Sequence, residues 1–299
     1  MLKMRSPSFC QFVYKRLYHK GVAPFRQPHF LKSEKICIRD KFGEFSYREI
    51  NQESDKIARA LVKSQKNSSS EANSNVAFLT SNTHQYTVSQ FGIWKGGLSC
   101  VPLCKSHPAE TLKYYIEDSK ASAVIISQEF GDKIGSKLRN DIENLLVLEE
   151  LLQEDFILED ETDNSLKNED NAMLIYTSGT TGSPKGVVLT LNNVISQIEC
   201  MIEPWGWSNQ DKILHILPLH HTHGIVNCLL CPLQVGASID MLDVFDPKDV
   251  IDKLVGGDVN VFMAVPTVYA KLLEYIRKGK YFFIFRPSYP LYKPRSNCI

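Results

Sequence analysis

The chain has 299 residues, 43% of them hydrophobic and 23% charged, an ordinary balance for a protein that buries a sizeable core without covalent staples. Lys plus Arg (34) equals Asp plus Glu (34), and a net charge of zero argues against a dedicated nucleic-acid binder. No apolar run approaches the roughly 18–20 residues that span a bilayer, and the 8 Cys follow no repeating spacing, which fits reduced thiols rather than a disulfide framework.

The charge is unevenly placed. Residues 1–33 carry Lys3, Arg5, Lys15, Arg16, Lys20, Arg26 and Lys32, and the first carboxylate is Glu34. A basic, Ser-containing, acid-free leader is the composition of a mitochondrial transit peptide, with Phe9, Phe12, Val13 and Leu17 on one helical face. Arg16 and Lys20 project onto that same face, and a disordered basic arm is the plainer alternative.

In chain order, short apolar bursts predict strands at Ile36–Ile38, Val76–Leu79, Val124–Ile126, Leu145–Leu148, Met173–Tyr176, Val187–Leu189, Ile213–Ile216 and Val261–Ala264. Helical periodicity fills several gaps: Tyr47–Val62, Thr83–Trp94, Ala109–Asp118 after Pro108, and Asp246–Leu254 with an Asp-Pro start. Strand–helix alternation of this kind predicts an α/β fold of layered, mostly parallel sheets with covering helices. Between 141 and 170 twelve acids face the single base Lys167, and such a run reads as a solvated linker, placed at about 149–170.

One segment carries chemistry. The apolar strand Leu174-Ile175-Tyr176 runs into Thr177-Ser178-Gly179-Thr180-Thr181-Gly182-Ser183-Pro184-Lys185-Gly186, and Val187-Val188-Leu189 follows at once. Glycines let backbone amides converge on an anion, hydroxyls add neutral donors, and Lys185 adds a point charge, which together suit a polyphosphate. It is not a Walker A loop, because Pro184 stands where the glycine before the lysine belongs.

This run resembles the signature loop of the AMP-forming acyl-CoA synthetase, adenylation-domain and luciferase superfamily. The resemblance extends from about Lys35 to Arg277 through Phe45–Ile50, the Gly96–Leu103 turn, Leu217–Gly224 and Val265-Pro266-Thr267. Val101–Pro108 and His220–Asn227 look most like the mitochondrial malonate–CoA ligase branch. The resemblance implies the N-terminal portion of the adenylate-forming large domain over 34–278 and a divergent tail over 279–299. It implies that malonate or methylmalonate attacks ATP to give an acyl-adenylate, and that coenzyme A then takes the acyl group, with Mg²⁺ on the phosphates. Thr177, Ser178, Gly179, Thr180, Thr181, Gly182 and Lys185 would bind the ATP phosphates, and His221 would line the acyl and adenylate pocket. The implied partners are a small-molecule carboxylate, ATP and coenzyme A, with no nucleic acid, in the mitochondrial matrix.

Several family features have no counterpart: the Tyr-Gly-x-Thr-Glu segment with its metal Glu, the ribose-binding Asp, and the C-terminal domain with the adenylation Lys. The catalytic residues are therefore unassigned, and the expectation is a front half of a larger enzyme, with an inactive fragment or pseudoenzyme that at most binds nucleotide or a partner as the alternative. The tail, with six aromatics from Tyr281 onward, has the composition expected of an alternatively spliced or read-through end. His215, His220, His221 and His223 have no acidic or thiolate partner at a metal-ligand spacing, so no metal site is expected. Cys228 and Cys231 have the spacing of a redox pair but lie in an apolar stretch that reads as a core helix.

Overall fold

A computed structural model describes residues 23–66, 75–131, 142, 144–153, 165–178 and 182–280. Two sheets form the frame. The first has the order β11-β9-β10-β1-β2, built from β1 (Ile36–Asp40), β2 (Gly43–Ser46), β9 (Lys212–His215), β10 (Ser238–Met241) and β11 (Val261–Phe262). The second runs β6-β5-β3-β4-β7-β8, from β3 (Asn75–Leu79), β4 (Ser99–Pro102), β5 (Ala121–Ile126), β6 (Leu145–Val147), β7 (Asn171–Thr177) and β8 (Lys185–Thr190). All pairings are parallel except the β1–β2 and β7–β8 hairpins, as the alternation predicted.

The helices are α1 (Pro28–Lys32), α2 (Tyr47–Lys66), α3 (His84–Lys95), α4 (Ala109–Asp118), α5 (Leu148–Gln153), α6 (Leu191–Trp205), α7 (Cys231–Val235), α8 (Pro247–Gly256) and α9 (Pro266–Tyr275). A stretch of π-helix, His223–Leu230, leads into α7. Helix α3 is buried from His84 to Trp94, polar residues included, so it is a central element rather than a surface one. Asp246 caps α8 by accepting from the backbone amides of Lys248 and Asp249, and Pro247 occupies the first helical position.

The structure departs from the sequence reading in four places. First, within the segment read as a leader, residues 23–33 pack against the core: Phe25 is 3% exposed and Phe30 fully buried. Phe30 meets Tyr47 and Phe91 edge-on at 4.7 and 5.3 Å, and Phe25 packs on Phe91 and Trp94, each at 6.0 Å. Residues 1–22 lie outside the described residues.

Second, the strand predicted at Leu145–Leu148 stops at Val147, and Leu148 opens α5. Helix α5 occupies the start of the acidic run, where Glu149 accepts from Gln85 Nε2 and from the Gln128 amide at 3.0 and 2.7 Å. Leu166 is fully buried and its amide donates to the Trp94 carbonyl, so the far end of the run is also anchored; 154–164 lie outside the described residues. Third, the Gly96–Leu103 segment, read as a turn, contains strand β4 between β3 and β7. Fourth, the last strand is only Val261–Phe262, because Pro266 already starts α9. The tail beyond 280 lies outside the described residues.

Candidate functional site

The hydroxyl-rich loop joins two antiparallel strands at a sheet edge, with Thr177 and Lys185 as directly opposed partners. Thr177 Oγ1 donates to the Lys185 carbonyl at 3.5 Å. Thr177, Ser178, Gly182 and Lys185 are all exposed, so their polar groups are free of core packing. Gly182 has φ +154°, a backbone conformation that residues with a side chain rarely adopt, and a Cβ there would meet nothing within 4 Å. Gly179, Thr180 and Thr181 lie outside the described residues.

Helix α4 supports the base of this loop. Tyr115 stacks on Tyr176 at 4.0 Å, and the Tyr176 hydroxyl donates to Asp118 Oδ2 at 2.7 Å. The Tyr114 hydroxyl donates to the Pro184 carbonyl at 2.9 Å, on the returning strand side. Burial, with the Asp118 carboxylate close by, pushes the Tyr176 phenol up, so it remains a neutral donor.

A line of rings runs from that stack to the first sheet. His107 sits edge-on to Tyr115 at 5.5 Å, His220 lies 5.8 Å from His107, and His221 lies 4.1 Å from His220. The residues resembling the phosphate loop and the acyl-site segment are thus joined through His107 and Tyr115. Burial pushes the His220 imidazole down to about 4, with His221 and His107 adding to the effect. Burial, with His221 adding to the effect, also lowers His107, so both rings are neutral near pH 7. His221 is exposed at the end of this line.

A cleft of about 260 Å³ opens where strands of both sheets end, the usual ligand position in α/β folds. Thr80, Leu103, Lys105, Ile216, His220 and Asp243 are among its lining residues. His221 is not among them. Thr80 Oγ1 and the Tyr86 hydroxyl line the cleft as buried polar atoms with no hydrogen-bond partner. Lys105 Nζ pairs with Asp243 Oδ1, and Lys41 Nζ donates to Asp243 Oδ2 at 3.1 Å. Burial alone would raise the Asp243 carboxyl, but the Lys105 and Lys41 ammonium groups outweigh it and hold it below its ordinary value.

The remaining singled-out side chains have structural places. His215 is fully buried with Nε2 on the Gly224 carbonyl at 3.0 Å. Cys228 and Cys231 are buried in the π-helix and α7, where burial pushes both thiols up to about 12, the inert state expected of core cysteines. Among the described residues, no group of three or more His, Cys, Asp or Glu is disposed to hold a metal ion, and no helix is long and apolar enough to cross a membrane. Asn82 and Asp243 carried no functional signal in the sequence, since each became notable only when the strand ends converged.

The family model described as AMP-binding enzyme matches residues 27–286. The chain belongs to the AMP-binding enzyme family. That match begins inside the segment first read as a leader and reaches beyond Lys278. The mitochondrial malonate–CoA ligase ACSF3 of Xenopus laevis is 38% identical over 291 residues, covering 92% of this chain and 50% of the relative. The human protein of the same name is 38% identical over 250 residues, covering 81% of this chain and 43% of the relative. Among solved structures, ATP-bound MatB from Rhodopseudomonas palustris superposes with a TM-score of 0.70 at 25% identity, covering 88% of this chain and 50% of that one. The chain spans about half the length of the curated relatives it matches. The fold is that of the N-terminal domain of adenylate-forming enzymes.

Proposed function

We propose that this AMP-binding family chain provides the nucleotide- and acid-handling portion of an ATP-dependent carboxylate–CoA ligase, acting on malonate or methylmalonate through an acyl-adenylate. The observation that carries the reading is the joined geometry of the hydroxyl-rich β7–β8 loop and the His220–His221 segment, linked by Tyr176, Tyr115 and His107. ATP, coenzyme A and Mg²⁺ are the reactants and ion that this reading requires. Localisation in the mitochondrial matrix, within fatty-acid metabolism, belongs to the same proposal and is supported by the basic leader and by the naming of the ACSF3 relatives as mitochondrial.

The donor set fits a polyphosphate. Thr177 and Ser178 offer neutral hydroxyls, Gly182 leaves room for close backbone approach, and the exposed Lys185 ammonium adds charge. Gly179, Thr180 and Thr181 complete the loop in the proposal. As pyrophosphate leaves, negative charge grows on the β and γ phosphates, and donors placed there stabilise that charge. The acid's carboxylate oxygen forms a bond to the α-phosphorus as the bond to the pyrophosphate oxygen breaks. His221, with His220 beside it, lies on the acid side of that centre in the proposal. The neutral His107 and His220 rings hold a carboxylate by hydrogen bonds rather than by a full counter-charge.

Two measurements on this chain test the reading: ATP affinity by calorimetry, and malonate-dependent exchange of labelled pyrophosphate into ATP. ATP binding weakened at least tenfold by Lys185→Ala is expected. Exchange above the Lys185→Ala background supports ligation chemistry in this chain; binding without exchange assigns it a nucleotide-holding role only. Equal ATP affinity in both proteins sinks the loop assignment.

A further inference from the structure

Asp243 lies just after β10 in the first sheet, yet most of its carboxylate partners come from the second sheet or from a distant turn. Oδ1 accepts from the Asn82 backbone amide at 3.1 Å and from Lys105 Nζ, while Oδ2 accepts from Lys41 Nζ at 3.1 Å. Asn82 follows β3, Lys105 follows β4, and Lys41 sits in the β1–β2 turn. The Asn82 side-chain amide then donates to the Leu217 carbonyl at 3.0 Å. Leu217 begins the Leu217-Pro218-Leu219-His220-His221 exit from β9, so the carboxylate reaches that exit through a single intervening residue.

The same exit is clamped on its other side. His215 Nε2 holds the Gly224 carbonyl, and Gly224 lies so close to Pro218 that a Cβ would meet the Pro218 oxygen at 2.4 Å. Two tethers thus define where His220 and His221 stand, one within the first sheet and one crossing to the second. The crossing tether sets their placement against His107 and the Tyr115–Tyr176 stack, which belong to the second sheet.

We propose that Asp243 is a positioning residue, which acts through Asn82 to hold the His220–His221 segment in register with the second sheet. It touches no reacting atom. The proposal rests on the reading of that segment as substrate-facing for its functional meaning, but not for its geometry. A carboxylate suits the task because two oxygens can accept donors from three separate loops at once. Lys105 and Lys41 side chains are 28% and 40% exposed, so their ion pairs add little to stability and the contribution is chiefly to geometry.

The test is proton NMR of the histidine C2–H resonances, assigned with single His→Gln variants, together with ATP affinity and thermal midpoint. Asp243→Ala and Asn82→Ala are expected to shift His220 and His221 in the same direction. The His29 resonance, on α1, is expected to stay within error. Asp243→Asn keeps an acceptor for the Asn82 amide and is expected to give a smaller shift; it also serves if Asp243→Ala does not fold. A lowered midpoint with His220 and His221 unmoved in Asp243→Asn and Asn82→Ala overturns the proposal. An unchanged ATP affinity in Lys185→Ala, by contrast, removes the phosphate-loop reading and leaves this one standing.

Discussion

Gly224 and Pro218 are in backbone contact: a Cβ on Gly224 would lie 2.4 Å from the Pro218 carbonyl oxygen and 3.4 Å from the Leu217 Cβ. Neither obstacle is the end of a flexible side chain, so the backbone itself would have to move. Gly224→Ala is therefore expected to cost about 1–3 kcal/mol, in the range of overpacked cores. It is also expected to displace the His220–His221 segment, since the π-helix starting at His223 would be pushed off Pro218. Urea unfolding checks the first consequence, and the His220 C2–H resonance checks the second.

Acid should destabilise the fold through two neutral histidines. Burial pushes both His215 and His220 down to about 4 from an ordinary 6.5. The unfolded chain then binds more protons below about pH 6.5, so the stability from these groups is complete above that pH and is lost as pH falls toward about 4. At pH 5 the loss is about 2 kcal/mol for the fully buried His215 and less for the partly exposed His220. His215 has a local reason: Nε2–H already donates to the Gly224 carbonyl, and a proton on Nδ1 would find no acceptor. Urea midpoints at pH 7 and pH 5 should differ accordingly, and His220→Gln should shrink the difference. A pH-independent midpoint would contradict the burial of both rings.

The start of the described chain is tied to the core. Phe30 is fully buried against Tyr47 and Phe91, and His29 Nε2 donates to the Leu233 carbonyl at 2.8 Å across to α7. Phe30→Ala should cost about 3–5 kcal/mol, the usual figure for a buried phenylalanine. Any import-linked cleavage that leaves a stable protein must then fall before His29, earlier than the composition boundary at Glu34. N-terminal sequencing of the protein recovered from mitochondria would show this, and a mature chain starting after Phe30 would refute it.

Tyr176→Phe isolates the support beneath the phosphate loop. The variant keeps the Tyr115 stack but loses the hydroxyl's bonds to the Tyr115 carbonyl and to Asp118, whose carboxylate is exposed and can turn to water. The expected cost is about 1 kcal/mol, with ATP affinity changed less than threefold. Thermal unfolding and calorimetry together check it; a loss of binding as large as that of Lys185→Ala would assign the hydroxyl a direct part in the site.

Much of the local structure was legible because its causes are local. The Pro108-led helix α4, the Asp246 cap of α8 and the apolar cores of β3, β5 and β7 each follow from neighbouring residues. Strand β10 escaped notice because its reason to be a strand is distant. Ile239 pairs with Ile38 on one side and Ile213 on the other, while the central Asp240 breaks the apolar pattern. That aspartate is tolerated in the core because Lys253 reaches it at 2.9 Å, a contact invisible in a four-residue window. The acidic run is the opposite case: its charge implies a solvated linker over about 149–170, while Leu148 just before it and Leu166 within it are fully buried.

The sequence alone determined the alternating α/β class, the hydroxyl-rich loop between two strands and the family kinship that its residues display, because these depend on residue types and short spacings. Only the tertiary structure decided that Phe25 and Phe30 are core, that His107 and Tyr115 connect the loop to His220 and His221, and that Asp243 faces Lys105 and Asn82. Those relations join segments more than a hundred residues apart in several cases, and no local propensity encodes them; they exist because parallel strands from two sheets bring their carboxyl ends to one cleft.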